Sequence, residues 1–161
     1  MILMEVSSLR RQSFGLLGGY VLQFLAGMLV NLFVTIPSNH PGSNPSNYFS
    51  GGLHGLGWVL AGHGGWELVF HVYLAVLLVF GSICLFVRAL VQHDNNWTIA
   101  GGAAALFTLG AFFNGLSFIT YNHNINSMIM ATCWLLAVGS LLFALFRFPV
   151  PAKHKHAANK I

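Results

Sequence analysis

Hydrophobic residues along this chain fall into four long runs, which are separated by segments rich in Asn, His, Gly and Pro. The runs cover residues 14–36, 66–91, 97–120 and 127–146. Each run is close to the about 20 mostly apolar residues that an α-helix needs to cross a bilayer. None of them alternates apolar and polar positions with the period of two that a membrane β-strand shows. The pattern therefore predicts four membrane-spanning helices.

The segments between the runs predict how these helices are connected. The turns at 92–96 and 121–126 are short, so the helices that they join must run antiparallel. The longer loop at 37–65 contains a Gly-rich apolar stretch, 51–65, which predicts a short interfacial helix or loop capping one face. The predicted fold is all-α: a single domain over 1–161, formed by an integral membrane four-helix up-down bundle with a capped outer face.

Composition and charge agree with a chain that is solvated by lipid. Charged residues make up 6% of the 161 residues, against roughly 25% in a soluble domain, and hydrophobic residues reach 56%. All seven Lys and Arg residues fall on the side of the N-terminus, the second connection and the tail at 147–161. The positive-inside rule then predicts cytoplasmic termini and outward-facing loops at 37–65 and 121–126. So few cations, placed in this way, predict no nucleic-acid partner.

Five of the eight histidines fall on the predicted outer half of the bundle, together with Glu67, the only acidic residue there. These histidines are His40, His54, His63, His71 and His123. Such groups are costly near lipid and need partners. Glu67 and His71 are four residues apart, so they share one helix face. A first hypothesis is that they hydrogen-bond to each other and to neighbouring helices.

Two further hypotheses place a cofactor at this outer mouth. In one, haem b takes His71 as an axial ligand, because His71 is predicted about 8 Å inside the outer boundary, where neutral imidazole can bind iron. The candidates for its second ligand are Met128, Met130 and His123. In the other, a metal ion binds to imidazole and carboxylate groups. The candidate metal ligands are His63, Glu67, His71 and His54.

A polar outer loop followed by Glu67 and His71 at the start of an apolar helix resembles one half of a haem A synthase. That family is built from repeated four-helix haem b units. The resemblance covers the second to fourth spans and implies that His71 binds haem b. The family has Glu-x-x-His-Arg, whereas here Val72 follows His71 and the acid is one position further away. The family's second histidine, in its next even-numbered helix, has no counterpart in this chain.

Function is predicted mainly by exclusion, because the sequence has no nucleotide-binding loop, no HExxH motif and no other enzyme signature. Cys84 and Cys133 are predicted at different depths and cannot form a disulfide. Gly15 and Gly19 favour close packing of the first span with a partner helix. The leading prediction is an accessory or structural subunit of a larger respiratory or photosynthetic membrane complex, packed against other subunits or itself. The alternative is a haem b- or metal-binding electron-transfer protein with its site around His71.

Overall fold

The computed structural model describes residues 2–148, with side chains from residue 8 onwards. This part of the chain folds into five α-helices: α1 (Ile2–Phe33), α2 (Tyr48–Leu60), α3 (Trp66–Val91), α4 (Asn95–Tyr121) and α5 (Asn124–Arg147). No β-strand occurs among these described residues. The predicted all-α fold is confirmed.

Four of the helices are long and apolar enough to cross a membrane: Ser8–Phe33 within α1, and the whole of α3, α4 and α5. The predicted second span coincides with α3, and the third and fourth are a few residues longer than expected. The first begins earlier than predicted and ends at Phe33, before Pro37, which cannot continue a helix. Residues 149–161 of the predicted cytoplasmic tail lie outside the described residues.

Polar residues in the connections explain where the spanning helices begin and end. The carboxylate of Asp94 accepts hydrogen bonds from the backbone N–H groups of Asn96 and Trp97, at 3.1 and 3.2 Å, and so caps the start of α4. Asn122 ends α4 in a left-handed conformation, with φ of 52°, which asparagine tolerates better than most residues. The short turns on both sides of α4 make α3, α4 and α5 antiparallel.

The four spanning helices form a ring in the order α1, α3, α4, α5, in which α1 touches α5 much less than it touches α3. Two separate clusters of buried side chains hold the ring together. The larger cluster includes Leu9, Tyr20, Leu85, Trp97 and Leu141. The smaller consists of Val30, Ile36, Val59, Leu68, Val72 and Ile119.

Residues 34–60, here called the cap segment, cover one end of the ring. The segment consists of the loop 34–47 and α2, which confirms the predicted short helix, although it begins at Tyr48 rather than at residue 51. The buried face of α2 consists of three glycines and Val59, and a methyl group at Gly55 would lie only 3.1 Å from Ile119 Cγ2. Glycine therefore lets α2 approach the end of α4 closely.

The opposite end of the ring, here called the arginine end, carries Arg10, Arg88 and Arg147. Arg10 donates hydrogen bonds to the carbonyl oxygens of Leu145 and Phe148, at 2.8 and 3.0 Å, so it ties α1 to the last turn of α5. Arg88 donates to the side chains of Gln12 and Ser8. Cations at a helix C-terminus also interact favourably with the helix dipole.

Candidate intramembrane ligand site

A cavity of about 310 Å³ lies inside the bundle, between the two core clusters. Tyr20 and Leu78 of the larger cluster line one end of it, and Val30 and Val72 of the smaller cluster line the other. Leu56 of α2 also reaches it from the cap segment. The remaining walls are mostly apolar and include Phe24, Met28, Ala75, Phe112, Met130 and Trp134. We call this space the His71 cavity.

The His71 cavity opens between α1 and α5. Phe24 and Met28 of α1 line it, yet each is 46% exposed. Ala131 of α5 also lines it and is exposed. Among neighbouring helices in the ring, α1 and α5 pack together least, so the boundary between them is the least closed part of the cavity wall. We call this boundary the seam. The opening faces the apolar outer surface of the bundle.

His71 enters the cavity from α3 and pairs with Gln23 of α1. The Nε2 atoms of the two side chains lie 3.1 Å apart, within hydrogen-bonding distance. Gly27, one turn further along α1, leaves room for the imidazole, because a methyl group there would lie 3.1 Å from His71 Cε1. The pair links two helices near the cap end of the bundle.

This pair does not satisfy all of its own hydrogen-bonding groups. Gln23 Oε1 and His71 Nδ1 are both buried and have no hydrogen-bond partner. An unsatisfied buried polar atom costs about 1–3 kcal/mol, and most such atoms in folded proteins have a partner. The wall of the mostly apolar His71 cavity therefore includes a polar pair that has two buried atoms without a partner.

The other polar groups at the arginine end of the cavity are satisfied. The hydroxyl groups of Tyr20 and Thr108 hydrogen-bond to each other. Thr108 Oγ1 also donates to the carbonyl oxygen of Ala104, at 2.7 Å. Trp134 Nε1 donates to the carbonyl oxygen of Tyr20, at 2.8 Å. These bonds join α1, α4 and α5 and form a fixed floor beneath His71 and Gln23.

Of the predicted haem ligands, the structure brings only His71 and Met130 to the same cavity. Met128 is 61% exposed on α5, and His123 is an exposed residue at the N-cap of that helix. Neither Met128 nor His123 lines the cavity. Of the predicted pairs of haem ligands, only His71 with Met130 lines this cavity. In the structure, His71 Nε2 faces Gln23.

The predicted metal ligands are not gathered into one cluster. His63 stacks on the Trp58 ring with 5.8 Å between ring centroids, while His54 is exposed on α2 and Glu67 lies in the first turn of α3. His71 hydrogen-bonds to Gln23 on α1 and not to Glu67. The predicted bond from His71 to a neighbouring helix is therefore confirmed, and the predicted bond between His71 and Glu67 is wrong. Within the described part of the chain, no group of three or more His, Cys, Asp or Glu side chains could hold a metal ion.

Sequence reasoning identified His71 but missed Gln23 as its partner. The available signal was that Gln23 is a polar residue in an otherwise apolar run, where an amide needs a hydrogen-bonding partner. Nothing in the local sequence says which helix provides that partner. Cys84 and Cys133 are free, as expected from their predicted depths.

No family model, curated protein or solved structure matches this chain. Its function is therefore argued from the geometry of the His71 cavity and from the surfaces of the bundle.

Proposed function

We propose that this protein binds a small, mostly apolar molecule inside its membrane bundle, in the His71 cavity. The observation that supports this proposal most is the pair of buried polar atoms, Gln23 Oε1 and His71 Nδ1, that have no partner within an apolar space. Binding pockets typically combine apolar walls with a few polar groups that orient the ligand. A polar group of a bound molecule that reached one of these atoms would complete a hydrogen bond that the protein leaves open.

The size of the cavity sets the size of the ligand. An engineered apolar cavity of about 150 Å³ holds a benzene molecule, and pockets for drug-sized ligands begin at about 300 Å³. The His71 cavity, at about 310 Å³, therefore suits one ring with a short apolar chain. Such a molecule dissolves in the bilayer and can reach the cavity laterally, through the seam between α1 and α5.

Filling the cavity tests this proposal. The full-length protein and an Ala111→Trp variant are purified from membranes, and bound small molecules are identified by mass spectrometry. Ala111 lines the cavity, so the larger side chain should exclude the ligand. Leu106→Trp is the matched control, because Leu106 lies on the same helix and is 66% exposed.

We expect a stoichiometric molecule in the wild type and in the control, and none in Ala111→Trp. Circular dichroism should show the same helix content in all three proteins. A wild type with an empty cavity, or equal occupancy in all three, would overturn the proposal. An absorption spectrum of the same samples tests the haem alternative, since a Soret band lost in His71→Gln would identify haem b as the occupant.

A second candidate function is assembly with other membrane subunits or with a second copy of this chain. It is favoured by α1, where a side chain at Gly15 or Gly18 would have no neighbour within 4 Å. Phe14 beside them is 60% exposed. Gly19, which the sequence analysis paired with Gly15, packs instead against Leu78 of α3. The proposed partner surface is therefore Gly15 and Gly18, and small residues of this kind let helices approach closely in lipid.

Leucine at Gly15 and Gly18 should separate this protein from its partners. The double variant is compared with Gly139→Leu, because Gly139 on α5 is also without neighbours within 4 Å. Subunits that co-purify with the wild type and with Gly139→Leu should be lost from the double variant. Unchanged co-purification, or migration of the wild type as a monomer without other subunits, would contradict the assembly proposal.

We further propose that the arginine end faces the cytoplasm, because the positive-inside rule places cationic ends there. Single cysteines at Ser46 and His93 test this in a Cys84→Ser, Cys133→Ser background. Residue 46 lies in the cap segment and residue 93 in the turn between α3 and α4, at the other end. A membrane-impermeant maleimide applied to right-side-out vesicles should label residue 46 and spare residue 93. The reverse pattern would invert the topology.

A further inference from the structure

We infer that the molecule bound in the His71 cavity is a single-chain amphiphile whose uncharged headgroup lies at the seam, between Asn31 of α1 and Ser127 of α5. Its apolar chain then fills the cavity. This inference rests on the proposed function and adds the chemical class of the ligand and the direction in which it binds. Two features carry it: where the seam is tied together, and where polar side chains border the opening.

The described hydrogen bonds between α1 and α5 lie toward the arginine end of the seam. Arg10 donates to two carbonyl oxygens at the end of α5, and Trp134 Nε1 donates to the carbonyl oxygen of Tyr20. Next to this second bond, the rings of Phe24 and Trp134 pack across the seam with 5.1 Å between their centroids. The cap-side half of the seam, beyond this aromatic pair, can therefore admit a molecule without breaking any of these bonds.

Helix geometry places Asn31 and Ser127 on the two sides of that cap-side half. The two helices run antiparallel; Asn31 is seven residues after Phe24, and Ser127 is seven residues before Trp134. Seven residues make nearly two helical turns and span about 10 Å. Each polar residue therefore shares a helix face with its aromatic residue, and the two lie at a similar depth. Both line the His71 cavity.

These two residues also mark the level at which the spanning helices end. Asn31 is in the last turn of α1, and Ser127 is in the first turn of α5. Asn31 is exposed and Ser127 is half-buried, so both can reach a molecule at the opening. Between them and the aromatic pair, the cavity is bordered by the apolar residues Met28 and Ala131. The opening is thus polar at its cap-side edge and apolar below it, as an amphiphile requires.

The chemistry of this edge favours an uncharged headgroup. Among the described residues, no Asp, Glu, Lys or Arg lines the cavity, so a charged headgroup would find no counter-ion there. An unpaired charge beside an apolar space is strongly unfavourable. The amide of Asn31 and the hydroxyl of Ser127 both donate and accept hydrogen bonds. They therefore match a neutral headgroup that also does both, such as glycerol.

The test compares octylglycerol with octane, which has the same apolar chain and no headgroup. Binding of the radiolabelled probes to the full-length protein is measured by equilibrium dialysis in lipid nanodiscs and corrected for partition into empty nanodiscs. A headgroup that gains a hydrogen bond from each side of the seam should make octylglycerol bind about tenfold more tightly than octane.

An Asn31→Leu, Ser127→Ala double variant removes the polar edge and keeps the cavity. It should bind octane as the wild type does and lose the preference for octylglycerol. A Thr132→Val, Ser140→Ala double variant is the matched control. Both of these residues are exposed on α5, donate to carbonyl oxygens of their own helix and do not line the cavity. The control should keep the full preference.

The Ala111→Trp variant, with its filled cavity, should bind neither probe. Octylglycerol that binds to it as tightly as to the wild type would lie on the outer surface, which would overturn the amphiphile inference. Equal binding of both probes to the wild type, a preference that survives Asn31→Leu, Ser127→Ala, or one that is lost in the control would also overturn it. Each of these results leaves the proposed function intact if octane binds to the wild type and not to Ala111→Trp. Failure of both probes to bind the wild type would overturn both.

Discussion

Two histidines near the cap end of the bundle differ in how many of their ring nitrogens have a polar partner. His40, which is 7% exposed, has both ring nitrogens 2.9 Å from a backbone carbonyl oxygen, that of Pro41 on one side and that of Ile119 on the other. His71 has one nitrogen paired with Gln23 and one nitrogen without a partner. The two side chains lie near the same end of the bundle, but only His40 has a polar partner within reach of each ring nitrogen.

The comparison sets a histidine that joins two parts of the fold beside one that we propose as part of a ligand site. His40 joins the loop 34–47 to the last turn of α4 and stacks on Trp58, with 4.9 Å between ring centroids. His71 instead has one nitrogen without a partner and lines the cavity that we propose as a ligand site.

The largest expected effect is that of removing His40. His40→Ala leaves the carbonyl oxygens of Pro41 and Ile119 unpaired and removes the ring stacked on Trp58, so it should lower the free energy of unfolding by about 3 kcal/mol. Thermal unfolding in detergent micelles, followed by circular dichroism, measures the change. His54→Ala, on the exposed face of α2, is the control and should stay within about 0.5 kcal/mol of the wild type. Equal effects of the two substitutions would remove the distinction between His40 and an ordinary surface histidine.

A smaller and opposite effect is expected for the polar pair in the cavity. His71→Leu combined with Gln23→Leu removes both unsatisfied atoms together with the hydrogen bond, and such paired replacements are neutral or stabilising. We expect the free energy of unfolding to be unchanged or to rise by up to about 1 kcal/mol. A loss similar to that of His40→Ala would mean that His71 is a structural residue and not part of a site.

The smallest effect is expected at Tyr48, whose hydroxyl donates to the carbonyl oxygen of Phe113 at 2.7 Å. Burial raises the pKa of Tyr48, and the nearby Tyr121 raises it further, so the hydroxyl remains a donor at neutral pH. Tyr48→Phe removes one half-exposed hydrogen bond and should cost about 0.5 kcal/mol, because water can replace the lost partner. Hydrogen exchange at the cap segment should rise slightly in this variant. A loss of unfolding free energy as large as that of His40→Ala would mean that Tyr48, and not His40, contributes most to holding the cap segment on the bundle.

Much of the fold was predictable from local pattern, and the site was predictable only in part. The runs that became α3, α4 and α5 are long and uninterrupted, and bilayer thickness alone sets their approximate length. His71 could be identified from the sequence as a candidate residue, because an ionisable side chain near lipid is costly and marks a paired or functional group. The predicted hydrogen bond between His71 and Glu67 was wrong. The spacing of residues along one helix gives no information about a polar group on another helix, such as Gln23.

The sequence by itself determined that the chain forms four apolar helices, because backbone groups in lipid must be satisfied within each helix. It also determined that the last three of them are joined by short polar turns. It also indicated that Arg10, Arg88 and Arg147 lie at one end of the bundle. Only the tertiary structure decided that Gln23 meets His71, that α1 and α5 leave a seam, and that a cavity separates the two core clusters. These features depend on how helices far apart in sequence rotate and pack against one another, and the apolar pattern of each helix is too uniform to fix that rotation.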